Sequence, residues 1–278
     1  MYKNLLVNIP TERSPQPVID GAISLAARCQ AKLDAVSVGY ESSSMPLVAE
    51  GGAAVATIFA AEHEKALERA HAALAIFETE AKRAGVIHSS RAISTLPGEA
   101  AAILGATARL YDLAVVAQPE FERDTFDNAL AQEILFQSGG PVLFMPYTFR
   151  GAFHARRIGI CWDGSRLAAR AVRDAMPLLE QAEAITIITI NEATSVPPDA
   201  SAAHLARYLS RLGVPTEIDS LKASKANTQS SILSLAADER LDLLVMGGYG
   251  HSRLKETVFG GVTRDMLHSM TVPTLMTH

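Results

Sequence analysis

The amino-acid sequence predicts an α/β protein of two tandem doubly wound domains, each built on a five-stranded, mostly parallel sheet. Three observations carry this. Short apolar, strand-like runs alternate with amphipathic, helix-like stretches along all 278 residues; the order of these elements occurs twice; and two segments match almost position for position between the two passes. Parallel neighbours need crossover connections, which the alternating helices supply. With 48% hydrophobic residues, the chain can bury one large core or two ordinary ones, and the repetition decides for two.

The first pass opens with the apolar run Leu5 to Ile9, a short strand, then a proline-containing polar turn. Val18, Ala22, Leu25 and Cys29 follow at helical spacing. After a second strand, Leu33 to Val38, comes a Ser/Gly/Ala-rich stretch and a helix striped by Leu67, Ala70, Leu74, Phe77 and Ala81. That stripe reads as core. A third strand, Arg91 to Ser94, leads through Leu96-Pro97-Gly98-Glu99 into another helix and the strand Leu113 to Ala117. A further helix and the turn Gly139-Gly140-Pro141 precede the last strand, Val142 to Met145.

The second pass starts at Arg157. It reads strand Ile158 to Trp162, helix Leu167 to Leu179, strand Ile185 to Ile190, helix Ala202 to Leu212 and strand Glu217 to Leu221. A helix near Ser231 to Ala237, strand Leu243 to Met246, helix Val262 to Met270 and strand Thr274 to Thr277 complete it. The matching segments are Tyr111-Asp112-Leu113-Ala114-Val115-Val116 with Leu241-Asp242-Leu243-Leu244-Val245-Met246, and Pro141-Val142-Leu143-Phe144 with Pro273-Thr274-Leu275-Met276. Asp112 and Asp242 lie 130 positions apart, whereas Leu5 and Ile158 lie 153 apart, so the first pass holds a surplus, assigned to Glu41 to Ala60. The domains are expected at 1–150 and 151–278, divided within Thr148 to Ala155.

Composition excludes several classes. A formal net charge of -5, from 25 Lys+Arg against 30 Asp+Glu, gives no electrostatic footprint for nucleic acid or an anionic membrane. The N-terminal residues lack a secretory h-region and no run reaches the length of a membrane span, so a soluble cytoplasmic location is expected. Cys29 and Cys161 lack CxxC spacing and read as core thiols, and the histidines form no ligand-spaced cluster, so no metal site made by protein alone is expected.

In an open parallel sheet, ligands bind beyond the carboxyl ends of the strands where strand order reverses, which directs attention to the loops after strands one and four. In the second pass these are Asp163-Gly164-Ser165 and the segment from Met246-Gly247-Gly248-Tyr249-Gly250-His251-Ser252-Arg253 to Phe259-Gly260-Gly261-Val262-Thr263, where a helix begins. Glycine permits close backbone approach, and a helix N-terminus offers unpaired N–H groups and a positive dipole end, a combination suited to phosphate. The competing readings are an ordinary turn with an N-cap for Asp163-Gly164-Ser165 and solvated loop charge for His251, Arg253 and Lys255.

The spacing Gly247-x2-Gly250-x9-Gly260, after a strand ending in Met246 and before Gly261-Val262-Thr263, resembles the nucleotide loop of universal stress proteins. The family pattern has Ser or Thr after the third glycine, where this chain has Gly261; the backbone donors remain and Thr263 supplies a nearby hydroxyl. The resemblance implies the adenine nucleotide alpha hydrolase-like fold and binding of an adenine nucleotide, ATP foremost, with Mg²⁺ as an accompanying ion. Asp163 would contact adenine or ribose and Ile190 would line the base pocket. Met246, Gly247, Gly250, Gly260, Gly261, Val262 and Thr263 would cradle ribose and phosphates, with His251 and Arg253 toward the outer phosphates. It further implies stress-response or regulatory work and pairing of the two domains through their last strands, and leaves room for a homodimer. No catalytic residue is assigned, and any ATP hydrolysis is expected to be slow.

The first pass lacks these features. Pro10 stands where Asp163 would align, and Gln118-Pro119-Glu120-Phe121-Glu122-Arg123 replaces the glycine loop, so no nucleotide is expected in the same place there. Two rival classes stay open. Gly250-His251-Ser252-Arg253-Leu254 superficially resembles the G-x-S-x-G elbow of serine hydrolases, with Leu254 at the final glycine position. A non-enzymatic interaction module with a relic nucleotide loop is the other.

Overall fold

The computed structural model describes residues 1–41, 52–248 and 261–278. Among these, ten strands form one continuous sheet in the order β3-β2-β1-β4-β5-β10-β9-β6-β7-β8. The first half contributes β1 (Asn4–Ile9), β2 (Lys32–Tyr40), β3 (His88–Thr95), β4 (Leu113–Ala117) and β5 (Val142–Met145); the second contributes β6 (Arg157–Cys161), β7 (Ala184–Ile190), β8 (Thr216–Leu221), β9 (Leu243–Gly247) and β10 (Thr274–Thr277). Within each half every pair is parallel. Between the halves β5 and β10 run antiparallel, Leu143 opposite Leu275.

Alternation along each strand sends side chains to two apolar layers. Leu5, Val7 and Ile9 join one layer with Val115, Leu143, Ile158, Val245 and Leu275; Leu6 joins the other with Val116, Phe144, Leu244 and Met276. Helices α1 (Gln16–Cys29), α2 (Gly52–Arg83), α5 (Arg166–Asp174), α6 (Met176–Leu179) and α8 (Ala202–Leu209) cover the first layer. Helices α3 (Pro97–Ala108), α4 (Phe126–Gln137), α9 (Thr228–Asp238) and α10 (Val262–Ser269) cover the second. A short helix, α7 (Glu192–Ser195), follows β7. Among the described residues no helix is long and apolar enough to cross a membrane.

One expectation needs correction. The single helix expected over Leu167 to Leu179 is two, α5 and α6, meeting at Ala175 just before Pro177, whose ring cannot continue an uninterrupted ladder. Helix α2 starts at Gly52, 15 residues before the apolar stripe that announces it, so the Ser/Gly/Ala-rich stretch is in part helical. Ala56 to Ala61 are exposed and add no buried period to the sequence there. Residues 42–51 lie outside the described residues.

The repeated Tyr/Leu-Asp-Leu segment has a physical explanation. Asp112 Oδ2 accepts the backbone N–H of Lys3 at 2.6 Å and of Asn4 at 2.9 Å, at the start of β1. Asp242 does the same for Arg156 and Arg157, at 2.9 and 3.0 Å, at the start of β6. In each half this aspartate locks the first strand beside the fourth.

Candidate functional site

In the second half, strand order reverses between β6, which pairs with β7 on one side, and β9 on the other. Cys161 lies opposite both Ile188 of β7 and Met246 of β9, so Asp163, Ile190 and Met246-Gly247 all emerge at the same carboxyl edge. Met246 is buried and Ile190 half-buried, both in the apolar layer that also receives Val262. Burial, together with the Asp163 carboxylate, pushes the Cys161 thiol up to about 12, which keeps it neutral beneath this edge.

The turn after β6 is an Asx turn running into a capped helix. Asp163 is exposed and its Oδ1 accepts the Ser165 N–H at 2.9 Å. Ser165 Oγ accepts the Ala168 N–H at 3.1 Å as N-cap of α5. Gly164 sits at φ +70°, where a Cβ would lie 2.9 Å from Pro197 Cδ and 3.0 Å from Val196 Cγ1. Trp162 Nε1 donates to the Ala200 carbonyl at 2.7 Å, so the segment after α7 is pinned over this turn.

Gly247 closes β9 against the start of α5: a Cβ there would lie 2.8 Å from Ala168 N and from Leu167 C. This glycine is therefore required by packing, whatever else it does. Gly261 is the N-cap of α10 and gives that helix no side-chain cap. Val262 follows half-buried, and Thr263 is buried. Gly250, His251, Arg253 and Gly260, along with Ser252 and Lys255, lie outside the described residues. Near the C-terminus, His268 stacks on Phe121, and His278 Nδ1 lies 3.2 Å from the Gly248 carbonyl.

The first half fills the equivalent crevice with its own side chains. The Glu12 carboxylate, on the loop after β1, accepts the N–H groups of Phe126 and Asp127 at 2.7 and 3.3 Å, so it caps the N-terminus of α4. Asp127, buried, reciprocates by accepting from the backbone of Thr11 and Glu12 at 3.1 and 2.9 Å and from Tyr40 Oη at 2.9 Å. Arg13 enters beside β4: Nη1 donates to the Gln118 carbonyl, Nη2 to those of Ala117 and Asp127 at 3.3 and 3.4 Å. Burial lowers the Arg13 pKa against the attraction of Asp127.

The clasp is not legible in the sequence, because Glu12 and Asp127 are acceptors brought together only by folding. Thr125-Phe126-Asp127 at a helix start was the available signal. In the sequence Gln118 marks only a departure from the glycine loop, yet its side chain is fully buried and crosses between the halves.

Comparison with known proteins bears on this geometry. The universal stress protein family model matches residues 154–278. The curated relative Universal stress protein Slr1230 of Synechocystis sp. is 30% identical over 69 residues, which are 25% of this chain and 23% of that protein's own length. A solved universal stress protein from Archaeoglobus fulgidus superposes on 98% of this chain and 95% of its own, at TM-score 0.72 and 13% identity. A functionally unknown protein from Pseudomonas aeruginosa PAO1 does so over 99% and 92%, at TM-score 0.57 and 14% identity. At these identities the structural likeness shows a shared fold.

Proposed function

Given a chain whose residues 154–278 belong to the universal stress protein family, we propose that it is a stress-response or regulatory protein that binds one adenine nucleotide, ATP foremost, at the carboxyl edge of its second half. The supporting observation is the correspondence of two helix N-termini. In the first half the N-terminus of α4, whose own N-cap residue Thr125 supplies no side-chain cap, holds the Glu12 carboxylate on two backbone amides; the corresponding helix of the second half, α10, starts at Gly261. A position that takes a carboxylate in one half suits a phosphate in the other.

Asp163 would meet adenine or ribose and Ile190 the base. Met246, Gly247, Gly250 and Gly260 to Thr263 would surround ribose and phosphates, His251 and Arg253 would face the outer phosphates, and Mg²⁺ would accompany them. The first half, 1–150, serves as built-in partner to the second, 151–278. Calorimetric titration of the full chain with MgATP tests the reading: one equivalent per chain is expected, with binding abolished by Gly250→Val and weakened about tenfold by Asp163→Ala, the loss of a hydrogen bond made by a charged group. An unmodified chain that takes up no ATP overturns it and favours an interaction module.

A further inference from the structure

Gln118 follows β4 at the position that Gly248 holds after β9. Its side chain is fully buried, at 0% exposure, and bridges the halves. Nε2 donates to the carbonyls of Leu267 at 2.9 Å and His268 at 3.3 Å, and Oε1 accepts the Tyr147 N–H at 3.2 Å. Both carbonyls lie in the last turn of α10, among the acceptors that a helix leaves without intrahelical partners. Phe121 adds a stacked contact on the His268 ring, centroids 5.4 Å apart. The Gln118 carbonyl meanwhile accepts from Arg13, so one residue is tied both to the filled crevice of the first half and to α10.

Helix α10 has only eight residues and spans roughly 12 Å as a rigid rod. A shift at its last turn therefore moves Gly261, Val262 and Thr263 at its first. We propose that Gln118 is a positioning residue for the nucleotide site of the second half, through which the first half holds the phosphate-facing helix in register. The inference rests on the nucleotide-binding reading above. It deepens that reading by giving the first half a task at a site it does not line.

Gln118→Met keeps the side-chain length and removes the polar ends. In the full-length chain, MgATP should bind this variant about threefold to thirtyfold more weakly, the range of one buried hydrogen-bonded link or a modest coupling between sites. The amide resonances of Gly261, Val262 and Thr263 should move before any nucleotide is added. Linkage is reciprocal, so MgATP must also shift the side-chain amide resonances of Gln118 in the unmodified chain. That measurement decides alone if Gln118→Met does not fold, and an unmoved signal overturns the proposal. Equal affinity in Gln118→Met, with the helix resonances in place, overturns the positioning role and leaves nucleotide binding standing. An unmodified chain that does not bind MgATP removes both.

Discussion

Glu12 and Gly247 show how single residues at equivalent edges answer to different physics. Burial, then the Asp127 carboxylate, raises the Glu12 pKa despite the two amides that favour its charge. A raised folded-state value means that the contribution of Glu12 to stability is complete below its unfolded pKa and is lost as pH rises through the folded one. Glu12→Gln should therefore gain stability over the unmodified chain at neutral pH, with the gain vanishing as pH falls through the carboxylate range; denaturant titrations at several pH values would read it. Gly247→Ala places a methyl against backbone atoms of Leu167 and Ala168, and should cost about 1–3 kcal/mol by overpacking, measurable by the same titration. Residue by residue, the sequence pointed to the edge at which Asp163, Ile190 and Gly247 emerge but not to how each position is used. Asp163 and Ser165 form the turn and cap that a local reading allows. The demand on Gly247 comes from a helix some 80 positions earlier in the chain and was not legible in its own loop.

Elements were legible wherever an apolar period ran through them. The central strands β4, β5 and β10 match the expected residues end for end; β4 and β5, buried on both faces, are continuous apolar runs, and β10 is found through its match to β5. The extension of α2 and the break between α5 and α6 escaped, one for want of a buried stripe and the other because proline at position 177 lies within a continuing apolar pattern. Asp112 and Asp242 were legible as a match and intelligible only once folded, since each serves backbone more than 80 positions away. Asp112→Ala and Asp242→Ala should each destabilise by about 1–3 kcal/mol, the range for hydrogen bonds to a charged group. Hydrogen exchange should localise the first effect to the start of β1 and the second to the start of β6. Exchange increased uniformly across the chain would deny them this local role.

For the whole molecule, both apolar layers run through the two halves and the sheet is unbroken at β5 and β10. The halves should therefore unfold together. Trp162, the chain's one tryptophan, reports the second half alone, while far-UV circular dichroism reports both. Coincident denaturation curves are expected, and an early dichroic loss at unchanged fluorescence would show that the halves melt independently. The joint at β5 and β10 also has a consequence for divergence. Joined by one chain, the halves meet at an effective concentration set by a short connection, so dilution does not part them. Two identical chains meeting at such a joint must show each other the same face. Here a half closed by its own carboxylate always stands beside one whose helix is capped by glycine, and the asymmetry is inherited with the polypeptide.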